Sequence, residues 1–176
     1  MSTVSAASKQ SGLDVLHSTE REVWGVLERV PDPEIPVLSV VDLGIIRHVR
    51  VAEGSVHVGV SPTYSGCPAT EVIRSLIGHA LRTAGFEPAQ IEDVLSPPWS
   101  SDWISTEGHR KLKAFGIAPP EKTVSRVRHL FAAPRVACPR CDSTQTERIS
   151  EFGSTPCKAH YRCLSCAEPF DHFKCI

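Results

Sequence analysis

No apolar run in this sequence of 176 residues is long enough to span a bilayer. The first dozen residues, Met1 to Gly12, are rich in Ser and Ala but have no hydrophobic core of the kind a signal peptide needs. They read as a disordered tail on a cytoplasmic protein. Charge of one sign is also lacking: 19 Lys and Arg stand against 20 Asp and Glu, a net charge of -1. That argues against general nucleic-acid binding, which needs a clustered basic surface. The seven cysteines are an odd number and include two Cys-x-x-Cys pairs. Such a set fits metal binding in a reducing compartment better than a disulfide framework.

What is present is organised around one sulfur. Cys67 is the only cysteine outside the C-terminal region, and it lies in the stretch Thr63-Tyr64-Ser65-Gly66-Cys67-Pro68. After it, Ala69, Val72, Ile73, Leu76, Ile77, Ala80, Leu81 and Ala84 keep a three-four rhythm that predicts an amphipathic helix. Pro68 suits its first position and Gly85 its stop. Cys67 therefore falls at or beside a helix N-terminus. Unsatisfied N–H groups and the positive end of the dipole favour thiolate over thiol there. From the residues alone, a reactive or metal-binding thiol and a small space-filling cysteine are equally good readings.

Before that stretch, Thr19-Glu20-Arg21-Glu22 has the pattern of a capping box. Val23, Trp24, Leu27 and Val30 continue it as one helical face, with Leu13 and Leu16 allowing an earlier start, and Pro31 and Pro33 predict its end. Asp32-Pro33-Glu34-Ile35-Pro36 sets two carboxylates in an extended proline segment. Spacing alone favours a rigid solvated loop with Asp32 as a cap over a pair of acids placed at a site. Ile45 to Val51 and Ser55 to Val60 alternate as the strands of a hairpin turning at Gly54. His48 and His57 are expected to face each other across it. Ile91 to Leu95 reads as a third strand reached by a helical crossover. Trp99 and Trp103, beside Pro97-Pro98, either line a pocket or partner surface or seal the core. Ser105 offers an N-cap for a helix ended by Gly116. Residues 13–118 thus form an α+β domain, a small mixed sheet with helices. Residues 119–135 read as a solvated linker, with a basic docking strip for an acidic partner as the alternative.

Residues 136–176 form a sulfur-rich β module. Cys138-Pro139-Arg140-Cys141 and Cys163-Leu164-Ser165-Cys166 are two knuckles whose tight turns bring thiolates together in pairs. Two pairs give a tetrahedral four-sulfur site, and a hairpin insert with arms near 147–152 and 158–162 accounts for the long spacing between them. Too small to fold on its own apolar surface, the module would draw its folding energy from the metal. Structural Zn²⁺ is the expected metal, although an iron–sulfur cluster suits the same donors. Cys157 is a further candidate ligand, and Cys175 stands apart.

Asp32-Pro33-Glu34-Ile35-Pro36, Asp42-Leu43-Gly44, the hairpin and the Thr63–Pro68 stretch resemble the MIP18 (DUF59) family of iron–sulfur cluster assembly factors. Further motifs narrow this to the D-subunit branch encoded with bacterial phenylacetyl-CoA epoxidases. These are Pro97-Pro98-Trp99, Ser105-Thr106-Glu107-Gly108, Phe115 to Pro120 and Ile149 to Ala159. The resemblance implies a MIP18-like domain followed by a zinc-ribbon-like module, and an accessory role in phenylacetate catabolism. It implies a cluster assembly or transfer factor, maturing the [2Fe–2S] reductase component and associated with the reductase and oxygenase. It places the reactive or cluster-binding residues at Cys67, Asp32, Glu34 and Thr63, and the zinc at Cys138, Cys141, Cys163 and Cys166.

A single cysteine cannot hold a cluster, so the remaining ligands are expected from a homodimer or from the client. Two other classes stay open: a thiol enzyme with Cys67 as nucleophile and His57 or His79 as base, and a zinc-ribbon adaptor for a protein partner.

Overall fold

The computed structural model describes residues 19–52, 54–64, 66–121 and 136–174. The expected N-terminal tail, the basic strip of the linker and Cys175 lie outside them.

Helix α1 (described from 19 to 27) buries Val23 and Leu27 completely. It ends four residues before Pro31, at the carbonyl that a proline ring would meet in a continued helix, as the prolines predict. Pro31 forms an isolated bridge with Ser39, closing the loop that carries Asp32 and Glu34. Strands β1 (Ile46–Ala52) and β2 (Ser55–Val60) form the antiparallel hairpin expected from their alternation. Its turn uses Gly54 at φ +74°, a region other residues enter at a steric cost. Helix α2 (Ala69–Thr83) then crosses over to β3 (Ala89–Asp93), which pairs parallel to β2. The stop of α2 is the Gly85 expected from sequence. Gly85 adopts φ +83°, its N–H donates to the Arg82 carbonyl (3.0 Å), and the Phe86 N–H donates to that of Leu81 (2.9 Å). This is a Schellman ending that satisfies two orphan carbonyls.

The His48–His57 expectation fails. The turn that pairs Ala52 with Ser55 sets a register in which His48 lies opposite Gly59 and His57 opposite Arg50. With no side chain on Gly59, the His48 ring lies over β2 and its Nε2 reaches Glu92 Oε1 on β3 at 2.9 Å.

Helix α3 (Thr106–Phe115) starts at Ser105, whose Oγ accepts the Gly108 N–H at 2.8 Å, and ends at Gly116 with φ +91°. Asp42 ties α3 to the first sheet. Its carboxylate accepts from Ser39 N–H (3.0 Å), Ser105 Oγ (3.2 Å) and Lys111 Nζ (2.6 Å). Burial works to raise the Asp42 pKa, but the Lys111 and Ser39 donors together hold it below the usual carboxylate value. The two tryptophans seal the core. Trp99 is buried and its indole N–H donates to the Leu43 carbonyl (3.0 Å). Trp103 lies under the Arg47 guanidinium, 3.5 Å from the ring centroid.

Strand β4 (Ile117–Ala118) leaves α3 and enters a second sheet with β5 (Thr146–Ser150), β6 (Lys158–Cys163) and β7 (Pro169–Phe173), in the order β4-β7-β6-β5. The two regions exchange core residues. Ala118 belongs to the apolar cluster of the second sheet, with Val136, Tyr161 and Phe170. Conversely, Cys157 and Phe173 from the second region belong to the main core, where Phe173 sits 6.2 Å from Trp99, centroid to centroid.

Candidate functional site: two sulfur centres

The first centre is the knuckle pair. The sulfurs of Cys138, Cys141, Cys163 and Cys166 lie within 4.8 Å of one another. Cys138 and Cys166 are 3.8 Å apart, and Cys141 and Cys163 are 3.6 Å apart. A tetrahedral ion with metal–sulfur bonds of about 2.3 Å has sulfur–sulfur edges of about 3.8 Å. The donor set and its spacing therefore fit a four-thiolate metal. Backbone N–H groups of Cys166 and Ser165 point at Cys163 Sγ and push its pKa down to about 6. Such donors stabilise thiolate before and after metal binding. Cys157 is not among the four: the structure puts it in the other centre.

That other centre is a cleft of about 460 Å³, counting its open mouth. Cys67, Thr63, Asp32 and Glu34, the four residues singled out from sequence, all line it. Leu43, Val60, Ile73 and Phe173 supply apolar wall. Cys67 is half-buried and lies one residue outside the helix boundary, because Pro68 is the N-cap of α2 rather than its first turn. The Cys67 carbonyl accepts the Thr70 N–H (3.2 Å), and its own N–H donates to the Tyr64 carbonyl (3.2 Å), which fixes the bend carrying the thiol.

Asp32 and Glu34 play different parts. Asp32 is 6% exposed, and its Oδ1 accepts the N–H groups of Glu34 (2.9 Å) and Ile35 (2.7 Å). It shapes the loop, as a cap would. Burial raises its pKa in spite of those donors. Glu34 is half-buried and reaches inward: its Oε2 accepts from Cys157 Sγ at 3.6 Å. Cys157 is 5% exposed, and burial first, then the Glu34 charge, pushes its thiol up to about 11, although Thr155 acts the other way.

Two hydroxyls complete the surroundings. Ser61 lines the cleft, is 1% exposed, and its Oγ has no hydrogen-bond partner. Tyr64 Oη is likewise enclosed. Burial first, then the neighbouring Cys67, push its pKa up to about 12, yet the geometry makes no hydrogen bond. No histidine lines the cleft among the described residues: His79 is exposed on α2 and His57 lies in the register of β1 and β3. Among the described residues Cys67 therefore has no histidine base beside it.

Sequence reasoning left the place of Cys157 open and missed Ser61 and Phe173. Cys157 meets Glu34 across 123 positions of chain, beyond the reach of spacing rules. The one signal in the sequence was that Cys157 is outside both knuckles.

Comparison with known proteins agrees with this two-part arrangement. A family model described as iron-sulfur cluster assembly protein matches residues 20–92, and one described as PaaD zinc beta ribbon domain matches 122–174. An Escherichia coli (strain K12) protein assigned as the D subunit of 1,2-phenylacetyl-CoA epoxidase is 51% identical, over 88% of this chain and 92% of its own length. The chain belongs to the D-subunit family of phenylacetyl-CoA epoxidases. As a member it carries both the assembly-type domain with Cys67 and the four-cysteine ribbon. An Fe-S protein maturation auxiliary factor of Porphyromonas gingivalis is 35% identical over 53% of this chain and 90% of its own. The crystal structure of a DUF59 domain from Bacillus anthracis has a TM-score of 0.54 at 26% identity, covering 57% of this chain and 96% of that one. These relatives support the MIP18 (DUF59) expectation for the first region. Among the described residues no helix is long and apolar enough to cross a membrane.

Proposed function

We propose that this chain is a cytoplasmic accessory factor of a phenylacetyl-CoA epoxidase that carries an iron–sulfur cluster to the [2Fe–2S] reductase component. The observation that carries the reading is the convergence of Cys67, Thr63, Asp32 and Glu34 on one cleft at the start of α2. Kinship with Fe-S maturation factors supports an iron–sulfur cargo, and kinship with an epoxidase D-subunit protein supports a client within that system.

The division of labour follows from the residues. The cleft offers few sulfurs and an open mouth, so cargo held there can leave. The ribbon offers four sulfurs at bonding separation, so its metal stays. Zinc is the metal we assign to the ribbon: it has no redox chemistry, suits tetrahedral thiolate and supplies folding energy to a small module. Cys138, Cys141, Cys163 and Cys166 would hold it, and it takes no part in the transfer.

The deciding experiment is to produce the reductase with and without this chain under iron limitation, and to measure its iron and acid-labile sulfide. Higher occupancy with the wild-type chain, and none of that gain with Cys67→Ser, is expected. Equal occupancy in all three would defeat the maturation role.

A further inference from the structure

The cleft described above is not made by the assembly-type domain alone. Two of its lining residues, Cys157 and Phe173, come from the second sheet region. Cys157 immediately precedes β6, and its carbonyl accepts the Lys174 N–H at 2.9 Å. The start of β6 and the end of β7, side by side in the antiparallel pair, thus fix the position of one sulfur in the wall of the cleft.

A buried cysteine usually fills apolar space. Cys157 packs against the main core, but its sulfur also meets polar groups. Its thiol donates to the Glu34 carboxylate, and Thr155 Oγ1 lies 3.0 Å from the sulfur. Setting a carboxylate against a buried thiol costs desolvation that an apolar residue would avoid. The wall of the cleft also carries polar capacity that the fold leaves unused. The Ser61 hydroxyl, on a residue 1% exposed, is unpartnered. Buried polar groups are rarely left unpaired unless something else pairs with them. Two thiols, a carboxylate and the free Ser61 hydroxyl on one cleft suit an iron–sulfur species: thiolates ligate iron, and O–H groups donate to sulfide.

We propose that Cys157 is the second sulfur donor of the cleft, so that a single chain offers its cargo both Cys67 and Cys157. Each cysteine gives up one proton on ligating iron. Glu34 Oε2, already the acceptor of the Cys157 S–H, takes the Cys157 proton and passes it to solvent, and the half-buried Cys67 releases its own to solvent at the open mouth. This inference rests on the cargo reading above and revises one part of it. The second cysteine ligand comes from within the chain, and the expected homodimer is not needed to provide it.

The test is anaerobic loading of the full-length, zinc-containing chain with ferrous iron and sulfide. Iron, sulfide and zinc per chain are measured, together with the visible spectrum. Cys157→Ser is expected to lose bound iron and sulfide to the level of Cys67→Ser while keeping its zinc. Wild-type loading and an unchanged spectrum in Cys157→Ser, with loss in Cys67→Ser, would overturn the inference and leave the cargo reading standing. A wild-type chain that takes up no iron and sulfide would overturn the cargo reading itself. Native mass spectrometry of the loaded wild type needs no substitution: the cluster is expected on single chains, and its presence only on dimers counts against an intramolecular pair. Glu34→Gln keeps both sulfurs and is expected to load more slowly to the same end point; an unchanged rate removes its role as proton acceptor.

Discussion

The two sulfur centres of this chain use the same element in opposite ways. In the ribbon, four sulfurs stand 3.6 to 3.8 Å apart in the pairs that face each other, and N–H groups are aimed at Cys163. In the cleft, Cys67 and Cys157 come from different regions, and carboxylates and hydroxyls fill the positions around them. Four matched soft donors bind zinc tightly enough to decide whether a small module folds. Two sulfurs with harder neighbours bind more weakly and exchange. The difference shows what separates a structural metal site from a carrier site. Cysteine is common to both; the number of sulfurs and the company they keep set the lifetime of what is bound.

The largest effect that would sharpen this contrast comes from the ribbon. Cys138→Ser should abolish zinc binding and unfold the second sheet, because apparent zinc-binding energies of ~10 kcal/mol or more drive such modules. The measurements are zinc per chain and far-ultraviolet circular dichroism. Cys67 should also be alkylated faster, since the wall formed by Cys157 and Phe173 goes with the sheet. An unchanged alkylation rate would mean that the centres are independent.

Next in size is the seam between the regions. Phe173 is 2% exposed and packs beside Trp99. Phe173→Ala should lower stability by about 3–5 kcal/mol, the usual cost of emptying a buried aromatic site. Urea unfolding followed by tryptophan fluorescence reads it. A small loss would show that the regions merely touch.

A smaller effect depends on pH. His172 in β7 is buried, edge-on to Tyr161, and burial lowers its pKa from 6.5 to about 4. Between those values the unfolded chain binds the proton that the folded chain refuses. Stability contributed by neutral His172 is thus complete above pH 6.5 and lost as pH falls toward about 4. At ~1.4 kcal/mol per pH unit, the loss approaches ~3 kcal/mol. Acid release of zinc adds to it in the wild type, so the measure is the difference from His172→Gln, whose stability should fall less steeply over that range.

The smallest effect is the stability change in Cys67→Ser. Cys67 is half-buried at a bend on the edge of the main core, and serine is close to it in size, so unfolding should shift by about 1 kcal/mol or less. Zinc content should not change. A large shift would make Cys67 structural and erase the contrast.

Much of this was legible in the sequence because it is local. Alternation in β1 and β2, the three-four rhythm of α2, the Ser105 cap and the two knuckles each depend on residues a few positions apart. The cleft was partly legible: Asp32, Glu34, Thr63 and Cys67 were named together through family resemblance, and only the fold shows them on one wall. What could not be read is what depends on register or distant contact. The register set by the pairing of Ala52 with Ser55 puts His48 opposite Gly59 rather than His57, and its ring reaches Glu92. Two residues are too few for any pattern to announce β4, and its pairing with β7 joins the end of one domain to the last strand of the other. Cys157 stayed open for the same reason: its contact with Glu34 spans 123 positions of chain, which no local spacing reveals.

The strand order β4-β7-β6-β5 has a further consequence for how the chain is completed. β7 is the last strand in sequence, yet it is an inner strand, bonded to β4 on one side and β6 on the other. The second sheet cannot therefore grow outward from its first strand. It must stay in two pieces until β7 inserts between them and places Phe173 against Trp99. A chain still being synthesised exposes Cys67 in a half-walled groove, and the finished cleft exists only once synthesis has passed the final strand.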